Sequence, residues 1–222
     1  MTETISAIAR SLSGDVDKLN AVSQNVANMH TPGYRGARPV QDFSRATRGM
    51  MIDQRDGAIV QTYQPLDFAL RGPGFFVVQR GEREVLVRSG AFRLDAAGNL
   101  ATAYGDRVLG DVGPITLPPG KVSVGRDGQL RVDGKGVDRL RIVEVAEPSR
   151  LAGTGGGAFF YEGDVVEWQG QLLQGALESA NVDAAEETLR LIEATRHAES
   201  LQRAISIYDK VLDVGINQIG SN

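Results

Sequence analysis

Cysteine is absent from this 222-residue chain, which removes disulfides, thiolate catalysis and cysteine-based zinc sites together. A chain without thiols suits either redox compartment, so the compartment stays open. Long apolar runs are missing too: nothing approaches the roughly 18 uninterrupted residues of a membrane span. Charge of one sign is not in excess, with 24 basic and 28 acidic residues interspersed and a net charge of −4. No basic patch of the kind nucleic acid or an anionic membrane requires is expected. The opening segment from Met1 to His30 lacks a continuous apolar core and carries Arg10, Asp15, Asp17 and Lys18. A cleavable secretory signal is therefore not expected, and any export uses another route. Histidine is nearly absent, with only His30 and His197.

What is present is a long apolar stripe at the C-terminus. Leu191, Ala194, Ala198, Leu201, Ile205, Tyr208, Leu212, Gly215 and Ile219 alternate at spacings of 3 and 4. This is the heptad seam of a helix that buries one narrow line against another helix. A second line, Leu189, Ile192, Ile207, Val211 and Val214, runs beside it. A helix apolar on more than one face requires more than one partner. The N-terminus repeats the pattern in Ile5, Ile8, Leu12, Leu19, Val22, Val26 and Met29, interrupted only at Asp15.

Between the seams the period changes. Residues 3–28 read as a helix that stops near Asn28, because Thr31-Pro32-Gly33-Tyr34 places Pro and Gly for a tight turn. From Pro65 onward, short runs such as Phe75 to Val78, Val85 to Val87, Val122 to Val124, Leu130 to Val132 and Leu140 to Val145 read as strands. Turn sequences separate them, and Asp127-Gly128 and Asp133-Gly134 are hairpin signals. Asn181 or Asp183 can cap the final helix, with Glu186 and Glu187 complementing its dipole. The expected fold is α+β: N- and C-terminal helices paired as a coiled-coil-like stem, with a central antiparallel β barrel or sandwich. The expected boundaries are helix and turn 1–34, extended connector 35–65, β domain 66–145, return connector 146–182 and C-terminal helix 183–222.

No constellation for catalysis, cofactor or metal stands out. His197 lies inside a regular amphipathic helix, where a solvated or packing role is the ordinary one, and His30 sits at a helix end. The run Gly153 to Gly157 lacks the Lys-Ser/Thr of a phosphate loop and reads as a flexible turn. No Asp-x-Asp-x-Asp-Gly loop supports calcium. Trp168 is the only tryptophan, and the aromatics sit mostly beside β-branched neighbours, so they read as core.

The segment Asn20-Ala-Val-Ser-Gln-Asn25-Val-Ala-Asn28 followed by Thr31-Pro32-Gly33-Tyr34 resembles the signature of the flagellar rod and hook family, the bacterial axial proteins. Pro65-Leu66-Asp67, Gly72 to Phe76, Arg88-Ser-Gly-Ala-Phe92 and Gly98-Asn-Leu100 are similar to the opening of that family's β domain. Ser179-Ala-Asn181-Val182-Asp183, then Glu186-Glu187 and Arg196, are similar to its C-terminal helix. The resemblance runs in order along essentially the whole chain, departing from it in the connector between Arg45 and Asp56. It implies a self-assembling, torque-transmitting structural subunit of the periplasm-spanning rod of the basal body. It further implies export by the flagellar type III apparatus without a cleaved signal, and partners that are other copies of the chain and other rod proteins. No enzyme activity, cofactor, small-molecule substrate or nucleic acid is implied. The candidate assembly residues are Ile5, Ile8, Leu12, Leu19, Val22, Val26, Leu191, Leu201, Ile205, Tyr208, Leu212 and Ile219. The family-motif residues are Asn25, Asn28, Thr31, Pro32, Gly33, Tyr34, Asn181 and Val182.

Within that family a proximal rod protein fits best. Hook proteins carry an added outer domain, and the smallest rod proteins lack the β domain. The distal rod protein has a longer insertion where this chain has only the stretch from Arg35 to Gln64. A distal rod or hook-type protein is the alternative within the family. A carbohydrate-binding or hydrolytic β domain with helical oligomerisation arms is the alternative of a different class.

Overall fold

The computed structural model describes residues 2–42 and 47–219. They form two compact units, one holding the residues up to Val26 and from Asp183 onward, the other Ala27–Val182.

The first unit is helical. Helix α1 spans Thr2–Asn28 and α2 spans Ala184–Ile219. The Asp183 carboxylate caps α2, accepting the backbone N–H of Ala185 at 2.8 Å and of Glu186 at 3.1 Å. That satisfies donors the first turn leaves open. Asn181, which carries the same capping chemistry, is engaged elsewhere. Arg190 closes the first turns of α2 by pairing with both Glu186 and Glu187. No described helix is long and apolar enough to cross a membrane.

The second unit is the β domain, and all its strand pairs are antiparallel. Strands β1 (Ala37–Asp42) and β2 (Thr47–Ile52) form a ribbon, followed by β3 (Ile59–Gln61) and β4 (Phe68–Arg71). The central sheet is built from β5 (Phe75–Arg80), β6 (Arg83–Val87), β7 (Arg93–Leu94), β8 (Leu100–Ala101) and β9 (Arg107–Val108). A three-stranded sheet follows: β10 (Val122–Val124), β11 (Gln129–Val132) and β12 (Lys135–Arg139). Asp133 and Gly134 join β11 to β12 with both φ angles positive, 49° and 80°, as a two-residue hairpin turn of the twist-matching kind requires. Strand β13 (Ile142–Val145) then returns beside β5.

The chain does not leave the β domain at residue 145. Strands β14 (Ala152–Gly153), β15 (Ala158–Phe160), β16 (Val165–Glu167), β17 (Gln171–Gln174) and β18 (Ala176–Glu178) occupy the segment expected to be a return connector. They pair with β6, β13, β4 and β3, or with one another. Without them β3 and β4 would present unpaired edges. Gly155, Gly156, Gly157 and Gly175, all with positive φ, mark tight turns between these short strands rather than a linker.

The run Phe75 to Val78 is buried throughout, because β5 is covered on both faces. Phe76 and Val78 join a cluster with Phe68, Phe92, Leu100, Val108 and Leu130, whereas Phe75 and Val77 join Leu86, Val143, Val145 and Phe159 on the other side. Alternation across the pleat sends neighbours to opposite cores. Ala37 and Ile52, at the root of the β1–β2 ribbon, belong to the second cluster. The connector is thus part of the packing. Not all aromatics are core: Tyr63 and Tyr104 stand exposed, and Trp168 is half-buried against the first cluster.

Candidate functional site

The motif turn Thr31–Tyr34 and Asn181, distant in sequence, meet at one place in the β domain. The Thr31–Tyr34 turn closes with the Tyr34 N–H on the Thr31 carbonyl at 3.2 Å. Gly33 at its third position has φ +67°, and a Cβ there would lie 2.4 Å from the Ser89 nitrogen and 2.6 Å from the Arg88 carbonyl carbon. Left-handed backbone and close approach both select glycine at this point. The turn is therefore seated on the Arg88-Ser-Gly-Ala-Phe92 motif, and the Gly33 N–H donates to the Glu178 carbonyl at 2.7 Å.

Asn181 completes the joint from the other end of the domain. Its side-chain amide donates to the carbonyls of Asp53 (3.0 Å) and Arg55 (2.8 Å), and its carbonyl oxygen accepts the Gly36 N–H at 2.7 Å. An aspartate could accept from Gly36 but could not make the two donations.

Beneath these bonds lies a buried charge cluster. Arg88 is only 1% exposed; its Nε donates to Glu178 at 2.5 Å, and its two terminal nitrogens reach the carbonyls of Gly72 (2.8 Å), Gly74 (2.6 Å) and Leu70 (3.0 Å). The other Glu178 oxygen pairs with Arg35 at 3.1 Å and accepts the Gly57 N–H at 2.9 Å. Arg35 also reaches the Gln54 carbonyl and the Asp56 carboxylate. Burial pushes the Arg88 guanidinium below its ordinary value, as does the charge of Arg35, while Glu178 and Asp56 oppose the shift. At Asp56 burial raises the carboxyl, but the hydrogen bond from Arg35 and the charges of both arginines outweigh it, so the group ends below its ordinary value. Four segments far apart in sequence are cross-braced here, each arginine pairing with both Glu178 and Asp56. Removing Glu178 would leave two buried guanidiniums with only the more exposed Asp56 to share.

This cluster was not among the expected site residues. Its traces in the sequence are positional: Arg35 follows Tyr34, Arg88 opens the Ser-Gly-Ala-Phe motif, and Glu178 precedes Ser179-Ala-Asn181. Chemically the joint offers no reacting geometry, since every charge is engaged by another charge or by backbone. Among the described residues no group of three His, Cys, Asp or Glu is placed to hold a metal ion.

The expected assembly residues lie on the helices. Ile8, Leu12, Leu19 and Leu201 are half-buried and Val22 is buried, whereas Leu191, Ile205 and Val26 are exposed, Val26 by 45%. The side chains of Ile5, Tyr208, Leu212 and Ile219 lie outside the described residues. Around Val26 the buried line moves to Ala21, Val22 and Asn25, the drift a straight helix makes away from a strict seven-residue repeat. Among the remaining motif residues, Asn28, Pro32 and Val182 are half-buried. Asp15, which breaks the apolar pattern, is 1% exposed and takes a 2.5 Å hydrogen bond from the His197 ring.

Comparison with known proteins places the chain in a family. The family described as "Flagellar hook protein FlgE/F/G D1 domain" matches residues 69–136, and "Flagellar basal body rod FlgEFG protein C-terminal" matches residues 173–219. The flagellar basal-body rod protein FlgF of Escherichia coli (strain K12) is 30% identical, over 84% of this chain and 86% of that protein. FlgF of Salmonella typhimurium is 29% identical, over 85% and 86% respectively. A flagellar basal-body rod protein FlgG, from Buchnera aphidicola subsp. Schizaphis graminum, is 26% identical over 87% and 91%. The chain belongs to the flagellar basal-body rod and hook protein family, a family of structural proteins and not of enzymes.

Proposed function

We propose that this rod subunit occupies the proximal rod, and that it assembles with further copies of itself and with other rod and hook proteins through its terminal helices. The observation that carries this is the apolar surface left on α2. Ala194 is buried, yet Leu191 and Ile205 on its own stripe, and Leu189, Ile192 and Ile207 on the line beside it, remain exposed. Contacts between unlike patches that repeat without closing generate a helical tube, and a helix apolar on several sides supplies such patches. In this account the terminal helices form a coiled-coil-like stem, and the assembled subunit transmits torque. Identity is higher to the two FlgF proteins, 30% and 29%, than to the FlgG protein, 26%, which supports a FlgF-like place in the rod. Export through the flagellar type III apparatus, without a cleaved signal, completes the proposal.

Gold labelling of a tagged copy in purified basal bodies tests it. Label is expected within the rod, in its half nearer the inner membrane. Label confined to the hook, or absent from basal bodies, would overturn the proposal.

A further inference from the structure

Asp15 occupies a seam position, where a carboxylate is costly. Replacing an apolar side chain by a buried charge destabilises a helix pair unless the charge is held. It is held here by one bond from the other helix, His197 Nδ1 to Oδ2 at 2.5 Å, and by Lys18 from its own helix at 3.1 Å on Oδ1. An ionised carboxylate only accepts, so the imidazole nitrogen donates. His197 is half-exposed, whereas Asp15 is sealed, so the carboxylate bears the desolvation.

The placement in the chain is symmetrical. Asp15 stands as far before Asn28, the last residue of α1, as His197 stands after Ala184, the first of α2. In an antiparallel pair with that contact, Leu19 faces Glu193 and Leu12 faces Ser200. The apolar seam alone permits slippage by a heptad, because leucine, valine and alanine fit one another in several registers. Sliding α2 by one heptad brings Asp15 opposite either Ala204 or Arg190. Against Ala204 the buried carboxylate loses its partner across the interface. Against Arg190 it takes a guanidinium that already pairs with both Glu186 and Glu187. Pairing α1 with α1 of a second copy would bury Asp15 in a seam without His197.

We propose that Asp15 and His197 form a register- and partner-selecting pin: the pair makes α1 engage α2 of its own chain in a single register, and disfavours α1–α1 pairing between copies. Single buried polar groups fix register and partner in this way in helical seams, at some expense of stability. The pin bears on the proposed role of the terminal helices in assembly, but it is tested in solution without any rod.

Because the chain has no cysteine, disulfide trapping is clean. Leu19→Cys is combined in turn with Glu193→Cys, the facing position, and with Glu186→Cys or Ser200→Cys, each one heptad away. With Asp15 and His197 intact, dilute protein should oxidise the facing pair at least about tenfold faster than either slipped pair, the discrimination expected from an uncompensated buried charge. In Asp15→Leu/His197→Leu the three rates should converge to within about threefold, since an apolar replacement keeps the helices paired without choosing a register. Leu19→Cys alone should then yield more covalent dimer in the Leu/Leu background than in the parent. Asp15→Asn, which retains a buried hydrogen-bonding group, should keep the preference. Retention of the tenfold preference in the Leu/Leu variant would overturn the proposal, as would the lack of any preference in the parent. Either result leaves the rod assignment standing, because the gold-labelling experiment decides that separately.

Discussion

Replacing Gly33 by Ala probes the joint where the Thr31–Tyr34 turn meets the β domain, and Gly81 provides the matched control. Both glycines are left-handed, with φ of +67° and +61°. A Cβ on Gly33 would stand 2.4 Å from the Ser89 nitrogen, whereas one on Gly81 meets nothing within 4 Å. Each alanine carries the left-handed backbone cost of roughly 1–2 kcal/mol. Gly33→Ala must in addition displace backbone rather than a flexible side chain, which adds about 1–3 kcal/mol of overpacking. At roughly 2–4 °C per kcal/mol for a domain of this size, Gly33→Ala should melt about 2–12 °C below Gly81→Ala. Melting of the full chain is followed by Trp168 fluorescence, because that indole packs against the β-domain core. From the sequence alone the turn reads as an entry to a connector, whose distortion should leave the β domain's melting temperature intact. The contact with Ser89 makes it part of the domain. Equal melting temperatures for the two variants would refute this seating of the turn.

Four further outcomes are expected. Glu178→Gln keeps an acceptor for Gly57 but removes the charge that Arg88 and Arg35 share; it should cost about 3 kcal/mol, read as a lower urea midpoint at unchanged slope. Asp183→Ala removes the α2 cap and should cost about 1 kcal/mol, seen as faster amide exchange at Ala185 and Glu186 but not at the middle of the helix. At Asp15 burial raises the carboxyl, yet the hydrogen bonds from His197 and Lys18 hold it below its ordinary value. Its stabilisation is therefore present above the unfolded value of about 3.9 and is lost as pH falls through the lower folded value. Helical ellipticity should fall with acid more steeply in the parent than in Asp15→Asn, and identical acid slopes would contradict that assignment. In assembled rods, Leu201→Ala should cost about 2–4 kcal/mol per subunit if a neighbour fills its position, measured as a lower dissociation temperature of isolated basal bodies.

The parts of the fold legible in the sequence are those that local chemistry dictates. Asp183 caps because it stands before an amphipathic run, and Asp133-Gly134 turns because aspartate and glycine tolerate left-handed backbone between two strand-like segments. Phe75 to Val78 is buried because four consecutive apolar residues suit a strand covered on both sides. The membership of residues 146–182 in the β domain was not legible, since such short strands give too few positions for a period of two to emerge among glycines. The cluster of buried Arg35, Arg88 and Glu178 with the partly exposed Asp56 was equally hidden: nothing local distinguishes a charged residue that is paired across 90 positions from one that faces water. Asp15 shows the same limit. It read as a break in a stripe, and only the presence of His197 across the helix pair turns the break into a contact.

The central claim is that this chain is a structural rod subunit joined to its neighbours by its terminal helices. Leu201→Asp tests it most directly, because Leu201 lies on α2, outside the β domain, and a charge placed in an apolar interface is uncompensated. Cells carrying this variant as their only copy should make and export the protein, stop rod assembly at that point and fail to swim. Normal rods and normal swimming with Leu201→Asp would contradict the account.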